Sequence, residues 1–510
     1  MVRPGSADVP EPPARKWLFC SRPVWSKWLF WPRMADMVVA SRVSAQQLSR
    51  LLGTQPLSHP RYEDLAARIR MLLVDGRLAA STRLPSERSL ADALGLSRTT
   101  VASAYARLRD AGFVDARRGS GHVTAVHATL PSTMVASPVP DGVIGFTFAA
   151  CAAPPEVAAA YGRAGQRIGP LLAGSGYLPE GLPELRARIA DRYAARGLPT
   201  SPDQIVVTSG AVAAFNTVLR TLLGPGDRVL CESPTYPGAV DATQRAGGRL
   251  VPLPLVDGGW DLTRLEMIIR QSAPRLAYLM PDYQNPTGAL MAGADRAASA
   301  RLLHRYGVTP VIDETTAELR LTGPEEAPYA AHSSEAITIG SASKAYWGGL
   351  RIGWIRAPRD LVRPLIEQRA ILDLASPVFE QLVLAEVLRD PESVLAGQRQ
   401  RLLVQRDRLA AVVAARFPQW RLQVPAGGLV LWAELPTESS TRLAMAAERH
   451  GLLLTPGPRF FVGGGGERQL RLPYTQPPPL ADQAVDRLAA AWADQLTAGR
   501  PASSWLTLTA

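Results

Sequence analysis

Lysine is almost absent from this sequence. Of its 56 basic side chains only three are lysines, Lys16, Lys27 and Lys344, and the rest are arginines. Lys344 is therefore the only lysine after residue 27. Arginine can replace lysine wherever a positive charge is enough, but only a lysine amine readily loses its proton and condenses with an aldehyde. The retention of Lys344 indicates a chemical role.

Cysteine is also scarce, and long apolar runs are missing. The three cysteines, Cys20, Cys151 and Cys231, are far apart, and none has the CxxC or CxxH spacing of a zinc ligand set. We therefore expect no disulfide framework, no metal site and a reducing, cytoplasmic location. No uninterrupted run of 18 apolar residues occurs, so we expect no membrane-spanning helix and no membrane partner.

Positive charge is concentrated at the N-terminal end of the 510 residues, a length that predicts two or three domains. Residues 1–58 carry eight Lys/Arg against three Asp/Glu, and residues 59–125 carry eleven against seven. Most of the net charge of +11 therefore lies in the first quarter of the chain, where we expect any nucleic-acid surface.

Residues 1–58 form the first predicted region, an extension that is partly disordered or spurious. Its aromatic and basic stretch from Trp17 to Trp31 is interrupted by Pro23 and Lys27, which does not fit a signal peptide. Either Met34 or Met37 is then an alternative start, and the other interpretation is an arm that binds a membrane surface or nucleic acid.

Residues 59–125 have the pattern of a winged helix-turn-helix. Apolar residues at helical spacing predict one helix near Leu65, a second capped by Ser86, and a third capped by Ser97 after a turn at Gly95. Two short strands around Gly119 then predict a hairpin wing. In this architecture the third helix enters the major groove with its N-terminal residues first, so the module predicts a double-stranded DNA operator as partner.

The residues predicted to contact DNA lie at the start of that helix and in the wing. An arginine there can bind guanine through two hydrogen bonds, and hydroxyls can reach bases or phosphates. The stretch LPSERSLADALGLSRTTV, with GSG in the wing, resembles the GntR-type winged helix-turn-helix, and this resemblance adds further positions. Together the predicted DNA-binding residues are Arg88, Ser97, Arg98, Thr99, Thr100, Arg118 and Gly119.

A Pro- and Ser-rich linker is predicted at residues 126–143, followed by a large α/β domain over 144–500 and a tail over 501–510. The large domain alternates helical stretches with short apolar runs such as QIVVTSG, TPVIDE and ITIGSASK, which predicts a mainly parallel sheet. Ligands bind beyond the carboxyl ends of such strands. Several runs end in polar loops there, at Ser209-Gly210-Ala211, Asn285, Asp313 and Ser341–Lys344.

One cofactor needs this combination of groups. Pyridoxal phosphate requires a lysine amine for its aldehyde, an acid for its ring nitrogen and a cradle for its phosphate. With these residues, the chain from about 144 to 497 resembles the fold-type I, aspartate-aminotransferase-like domain, which has a smaller C-terminal α/β subdomain. Fused to the N-terminal α+β winged helix, it resembles the MocR subgroup of GntR regulators.

The resemblance implies a role for each matching residue. Lys344 corresponds to the Schiff-base lysine, Asp313 to the acid paired with the ring nitrogen, and Asn285 to the ligand of the phenolic oxygen. Tyr236 corresponds to the stacking ring and Arg471 to the arginine that holds an effector or substrate carboxylate. The implied phosphate contacts are Ser209, Gly210, Ala211, Ser341, Arg351 and, from a neighbouring subunit, Tyr177.

Two departures from the family pattern bear on catalysis. Thr315 and Thr316 stand where relatives usually place a tyrosine bonded to the phenolic oxygen, and Val212 stands where many have glutamine. Three functions remain open: a homodimeric regulator that senses pyridoxal phosphate or an amino compound, a working aminotransferase with a fused DNA-binding domain, and a cofactor-free dimerisation scaffold. We expect the regulator, since the winged helix gives the chain a DNA target.

Overall fold

The computed structural model describes residues 42–53, 57, 59–74, 77–78, 82–117, 121–124, 139–256 and 259–498. The N-terminal module has these elements: α1 (Ala45–Leu52), α2 (Arg61–Val74), α3 (Glu87–Leu94), α4 (Arg98–Asp110), β1 (Val114–Arg117) and β2 (Gly121–Thr124). The strands β1 and β2 pair antiparallel, as the predicted wing requires. The helices enclose a core that includes Leu48, Leu65, Leu90 and Val101, all fully buried.

Helix α1 was missed by the sequence analysis, which placed it in the extension 1–58. Ser44 caps it with a reciprocal pair of hydrogen bonds to Gln47, and Leu48 is fully buried against α2 and α3. The folded head therefore includes residues before 59. The stretch from Trp17 to Trp31, with Met34 and Met37, lies outside the described residues.

The large module has its elements in this order: β3 (Ile144–Phe146), α5 (Pro155–Arg167), α6 (Pro183–Ala195), β4 (Ile205–Thr208), α7 (Ala211–Leu222), β5 (Arg228–Ser233), α8 (Pro237–Arg245), β6 (Arg249–Pro254), α9 (Leu262–Ser272), β7 (Leu276–Leu279), α10 (Gly293–Arg305), β8 (Thr309–Asp313), β9 (Ile337–Ser341), α11 (Ala342–Ala345), β10 (Gly353–Arg356), α12 (Arg359–Asp373), α13 (Val378–Val387), α14 (Pro391–Arg416), β11 (Arg421–Gln423), β12 (Val430–Glu434), α15 (Ser440–Arg449), β13 (Leu452–Pro456), β14 (Gln469–Pro473) and α16 (Pro478–Ala498).

The central sheet has the strand order β4-β10-β9-β8-β7-β5-β6 within the described residues. Every pairing is parallel except those of β10, which runs antiparallel to both β4 and β9. Both faces are covered, since Ile205 and Val207 of β4 enter one apolar core and Val206 enters another. This explains why these strands have continuous apolar sequences, and it confirms the predicted mainly parallel α/β domain.

A second sheet, with the order β11-β12-β14-β13-β3, builds the smaller C-terminal subdomain. Strand β3 comes from the beginning of the module and pairs in parallel with β13, with Ile144 opposite Leu452. The chain that follows β3 is thereby carried from the small subdomain towards the carboxyl end of the central sheet. This return path supplies backbone groups to the functional site.

The winged-helix module contacts the large module through an ion pair. Arg77, which follows α2, places Nη1 2.8 Å from Oε1 of Glu467. Glu467 lies after four consecutive glycines with positive φ, Gly463 to Gly466, and two residues before β14.

No helix in the described ranges is both long and apolar enough to cross a bilayer.

Candidate functional site

Lys344 lies in the short helix α11, directly after β9. Ser341 begins this helix and accepts a hydrogen bond from the backbone N–H of Ser343 at 3.2 Å. The Lys344 amine donates to the carbonyl oxygen of Ala149 at 2.7 Å. Burial, followed by the cationic Arg471, lowers the pKa of Lys344 to about 8. A useful fraction of the amine is therefore uncharged near neutral pH, which is the nucleophilic form.

Asp313 lies at the carboxyl end of β8, next to β9 in the sheet. Its carboxylate accepts a hydrogen bond from the Tyr278 hydroxyl at 2.6 Å and another from the Thr315 backbone N–H at 2.9 Å. Burial raises the pKa of Tyr278 well above its usual value, so the phenol stays protonated and donates. The carboxylate is thus held in one orientation at the strand end. Tyr278 was not among the predicted residues.

The loop between β4 and α7 forms an anion cradle. Gly210 has φ 101°, and a Cβ atom there would lie 2.9 Å from Nη2 of Arg351. That same Nη2 donates to the carbonyl oxygen of Ser209 at 3.0 Å, which brings the guanidinium to the cradle. Helix α7 begins at Ala211, directly after Gly210, and no side chain in the described part of the chain caps it. The first N–H groups of a helix have no partner within the helix. Such a group of donors is suited to a phosphate.

Tyr236 immediately precedes α8 and is partly buried. Its ring lies over Gly238, where an added Cβ atom would be 2.5 Å from Cε1 of the ring. Burial raises the pKa of Tyr236, and the carboxylate of Asp313 raises it further. The acid predicted to pair with the cofactor nitrogen therefore acts electrostatically on the Tyr236 phenol.

Arg471 on β14 is buried, with only 6% of the residue exposed. Its Nη1 donates to Oδ1 of Asn285 at 3.4 Å, and its Nη2 donates to the carbonyl oxygen of Thr147. The guanidinium carbon lies 4.9 Å from the centre of the Phe460 ring. Burial lowers the pKa of Arg471 to about 10, so the side chain remains charged at neutral pH. The buried Nε has no hydrogen-bond partner among the described residues, which leaves a donor for a carboxylate.

The loop that carries Asn285 is anchored by a buried carboxylate that the sequence analysis missed. Glu232 on β5 is fully buried and accepts hydrogen bonds from Trp260 Nε1, the Met280 backbone N–H and Gln284 Nε2, at 2.9, 3.0 and 3.0 Å. Burial raises the pKa of Glu232 to about 7. Gln284 also accepts from the Thr287 hydroxyl at 2.8 Å, which closes the loop around Asn285.

The remaining predicted positions lie at the edges of the site. Val212 is 37% exposed in the first turn of α7, and Tyr177 is 65% exposed, so its contact with a neighbouring subunit's phosphate stays a prediction. Thr316 donates its hydroxyl to the Asp282 carbonyl oxygen at 2.8 Å. Thr315 donates its backbone N–H to Asp313, so Thr315 contacts the acid through its main chain, whereas the Thr316 hydroxyl is directed to a backbone carbonyl.

The N-terminus of α4 presents the predicted DNA-reading residues. Ser97 caps the helix by accepting from the Thr100 backbone N–H at 3.1 Å, and the Thr99 hydroxyl lies 2.8 Å from that of Ser97. The Arg98 side chain is 74% exposed, and its Nε lies 3.4 Å from Oε2 of Glu87. Arg88 on α3 is also exposed, whereas Arg118 and Gly119 lie outside the described residues. Each predicted DNA contact stays a prediction.

Two families match this chain. Residues 157–488 match the family described as aminotransferase class I and II, and residues 61–123 match the gntR family of bacterial regulatory proteins. The uncharacterized HTH-type transcriptional regulator YdcR of Escherichia coli is 30% identical over 444 residues, covering 81% of this chain and 94% of YdcR. MocR of Rhizobium meliloti, a probable rhizopine catabolism regulatory protein, is 33% identical over 333 residues, covering 59% of this chain and 66% of MocR.

The large module also matches solved structures. LysN of Thermus thermophilus, an α-aminoadipate aminotransferase solved with N-(5'-phosphopyridoxyl)-L-leucine, superposes with a TM-score of 0.65 at 28% identity. The match covers 71% of this chain and 94% of LysN. The predicted fold-type I domain is thereby confirmed.

Proposed function

Since the chain belongs to the aminotransferase class I and II family, we propose that it is a pyridoxal-phosphate-dependent transcriptional regulator that acts in the cytoplasm. It joins the aminotransferase domain to a gntR-type DNA-binding head, as MocR-type regulators do. One observation carries the proposal: a single chain has both an exposed recognition-helix arginine, Arg98, and a cluster of the half-buried Lys344 with the buried Asp313 and Arg471. The first suits an operator, and the second suits a small cofactor with its effector.

The residues of the cluster fit the cofactor group by group. The cradle brings the Arg351 guanidinium to the backbone at Gly210, where an added Cβ atom would lie 2.9 Å from its Nη2, and this cation suits a phosphate. Asp313 is positioned to pair with a ring nitrogen, and Tyr236 offers a ring face beside it. When bound, pyridoxal phosphate supplies an aldehyde that condenses with an amine. Lys344 supplies the amine and holds its proton weakly enough to react.

Arg471 gives the site its preference for an amino acid or a related amino compound with a carboxylate. Its buried Nε has no partner in the described part of the chain, and burial next to Lys344 makes an anionic ligand more favourable there. The effector is thus proposed to place its amine towards Lys344 and its carboxylate on Arg471. This arrangement explains how one site senses both the cofactor and an amine.

A working transaminase is the second candidate function. The assembled set of Lys344, Asp313 and Arg471 favours it, as does the likeness to LysN. Against it stand Thr315 and Thr316, which occupy the positions where relatives usually have a tyrosine. Their hydrogen bonds go to Asp313 and to the Asp282 carbonyl oxygen. Repeated turnover of an amino acid and a keto acid would favour this second function.

The regulator is tested by measuring DNA binding as a function of cofactor. A labelled duplex from the region upstream of the protein's own gene is titrated with protein, with and without pyridoxal phosphate and with added amines. We expect the dissociation constant to change by roughly 5- to 150-fold on cofactor or amine addition, the usual range for coupled sites. An unchanged dissociation constant under all conditions would contradict a sensing role, even if DNA is bound.

We further propose a two-fold homodimer, supported by a group of exposed apolar side chains. Leu172, Tyr177, Ile371 and Leu374 are 73%, 65%, 78% and 55% exposed. Arg369 connects the two segments, since its Nη1 donates to the carbonyl oxygens of Pro179 and Leu374 at 3.3 and 2.8 Å. Exposed apolar residues in one patch indicate an interface, and a second copy would bring its own Tyr177 to the site.

The dimer proposal gives a direct test with Ile371→Asp. We expect this change to raise the dimer dissociation constant by at least about tenfold, because it places a charge in a desolvated contact. Analytical ultracentrifugation over a range of protein concentrations measures the shift. Met267→Asp is the control, since Met267 on α9 is 49% exposed and lies outside the patch. Equal behaviour of the two variants would count against this surface.

A further inference from the structure

The end of α12 contains a strained turn beside the phosphate cradle. Leu374 has φ 59° and ψ −66°, and the backbone N–H of Ala375 donates to the carbonyl oxygen of Asp373 at 2.7 Å. This is a γ-turn of the rare positive-φ form, which costs a residue with a Cβ atom about 1–3 kcal/mol. Leu374 is also 55% exposed in the single chain, so packing of its side chain within the described part of its own chain does not explain the conformation.

The turn is held by polar contacts on either side of Leu374. Arg369, only 1% exposed, places Nη2 3.2 Å from Oδ1 of Asp373 and 2.8 Å from the Ser376 hydroxyl. Its Nη1 donates to the Leu374 carbonyl oxygen at 2.8 Å. One buried guanidinium therefore clamps residues 373, 374 and 376 in the strained form.

The other oxygen of Asp373 reaches into the cradle. The Ser209 hydroxyl donates to Oδ2 of Asp373 at 2.8 Å, and the Ser376 hydroxyl lies 3.3 Å from the Ser209 hydroxyl. Ser209 also presents its carbonyl oxygen to Arg351. A carboxylate thus holds a group predicted to contact the cofactor phosphate. The carboxylate and a phosphate dianion cannot both occupy the neighbourhood of this hydroxyl without repulsion.

We propose that Asp373 is a phosphate-responsive latch that sets the affinity of the cradle for the phosphate monoester of the cofactor. The proposal rests on the proposed function, since it assumes that the cradle takes this phosphate. With the cradle free, Asp373 holds the Ser209 hydroxyl and the turn at Leu374 stays strained. A bound phosphate takes over the hydroxyl, displaces the carboxylate and lets the turn relax.

Relaxation of the turn has a consequence at the dimer surface. Ile371 and Leu374 belong to the exposed apolar patch, and they lie within two residues of Asp373. Movement of the latch therefore repositions part of the surface proposed to contact a second copy. Phosphate occupancy and dimer affinity are in this way coupled through one short segment.

Two variants separate the latch from a merely structural role, because they act in opposite directions. Asp373→Asn removes the charge and keeps the shape, so we expect inorganic phosphate to bind about three- to tenfold more tightly. Leu374→Gly relieves the strain without phosphate, so we expect weaker phosphate binding than in the wild type. Asp360→Asn, the same change at the exposed start of α12, is the control and should leave the affinity unchanged.

Phosphate affinity is measured by isothermal titration of the full-length, cofactor-free protein with inorganic phosphate, and then with pyridoxal phosphate. Tighter binding by Asp373→Asn together with weaker binding by Leu374→Gly supports the latch. If the wild type binds phosphate and Asp373→Asn binds it equally or more weakly, the latch is wrong while the proposed function stands. If neither protein binds phosphate or pyridoxal phosphate, the proposed function itself is wrong.

Discussion

Lys344→Ala is expected to abolish the visible absorption that pyridoxal phosphate acquires when it is joined to a protein amine. The loss should be complete, since Lys344 is the only lysine after residue 27 and its amine lies in the cluster with Asp313 and Arg471. Absorption spectra of the reconstituted proteins measure it. Borohydride reduction of the wild type, followed by peptide mass analysis, should place the added mass on Lys344.

Lys344→Arg is the matched control for charge. Arginine keeps a cation of similar length, but its guanidinium does not condense with an aldehyde, so this variant should be as colourless as Lys344→Ala. The rate of cofactor attachment to the wild type gives a second check. Since the pKa of Lys344 is about 8, the rate should rise roughly tenfold per pH unit below that value and level off above it. Persistence of the visible band in Lys344→Ala would overturn the assignment.

Arg98→Ala is expected to weaken operator binding and to relax its sequence preference. Arg98 is 74% exposed at the N-terminus of α4, where the recognition helix of this architecture meets base edges. Loss of a bidentate hydrogen-bonding contact to guanine costs about 1–3 kcal/mol of binding free energy, which raises the dissociation constant roughly 5- to 150-fold. Fluorescence anisotropy with the upstream duplex and a scrambled duplex measures both the affinity and its ratio.

Arg109→Ala is the matched control for Arg98→Ala. It removes the same charge from the same helix, but Arg109 lies 11 residues further along α4, about 16 Å from Arg98. We expect it to leave the ratio of the two dissociation constants unchanged and to alter at most the salt dependence. If both variants lose the same affinity on both duplexes, Arg98 contacts only the backbone and the base contact is wrong.

The strands and their polar ends could be predicted from the sequence because each signal is local. The runs QIVVTSG, TPVIDE and ITIGSASK each contain a strand. Asp313 ends the second of these strands, and Ser209 and Lys344 follow the first and the third. Helix α1 was missed, since eight residues bury little surface alone and become stable only against α2 and α3.

The partners of the site residues could not be predicted, for two physical reasons. The hydrogen bond between Tyr278 and Asp313 depends on the register of β7 against β8, and that of Ser209 with Asp373 joins residues 164 positions apart. Lys344 and Arg471 donate hydrogen bonds to the backbone carbonyl oxygens of Ala149 and Thr147, respectively. Every residue type has such a carbonyl, so these contacts cannot be recognised in the sequence.

In the proposed function, the ion pair between Arg77 and Glu467 would make the operator an effector of the sensor. Glu467 lies two residues before β14 and four before Arg471, so the head is tied to the segment that leads into the strand with the guanidinium proposed to bind a carboxylate. If an amine on Arg471 changes operator affinity by some factor, occupied DNA changes amine affinity by the same factor. Each copy of the protein on its promoter would then have a different threshold for the amine from copies free in the cell.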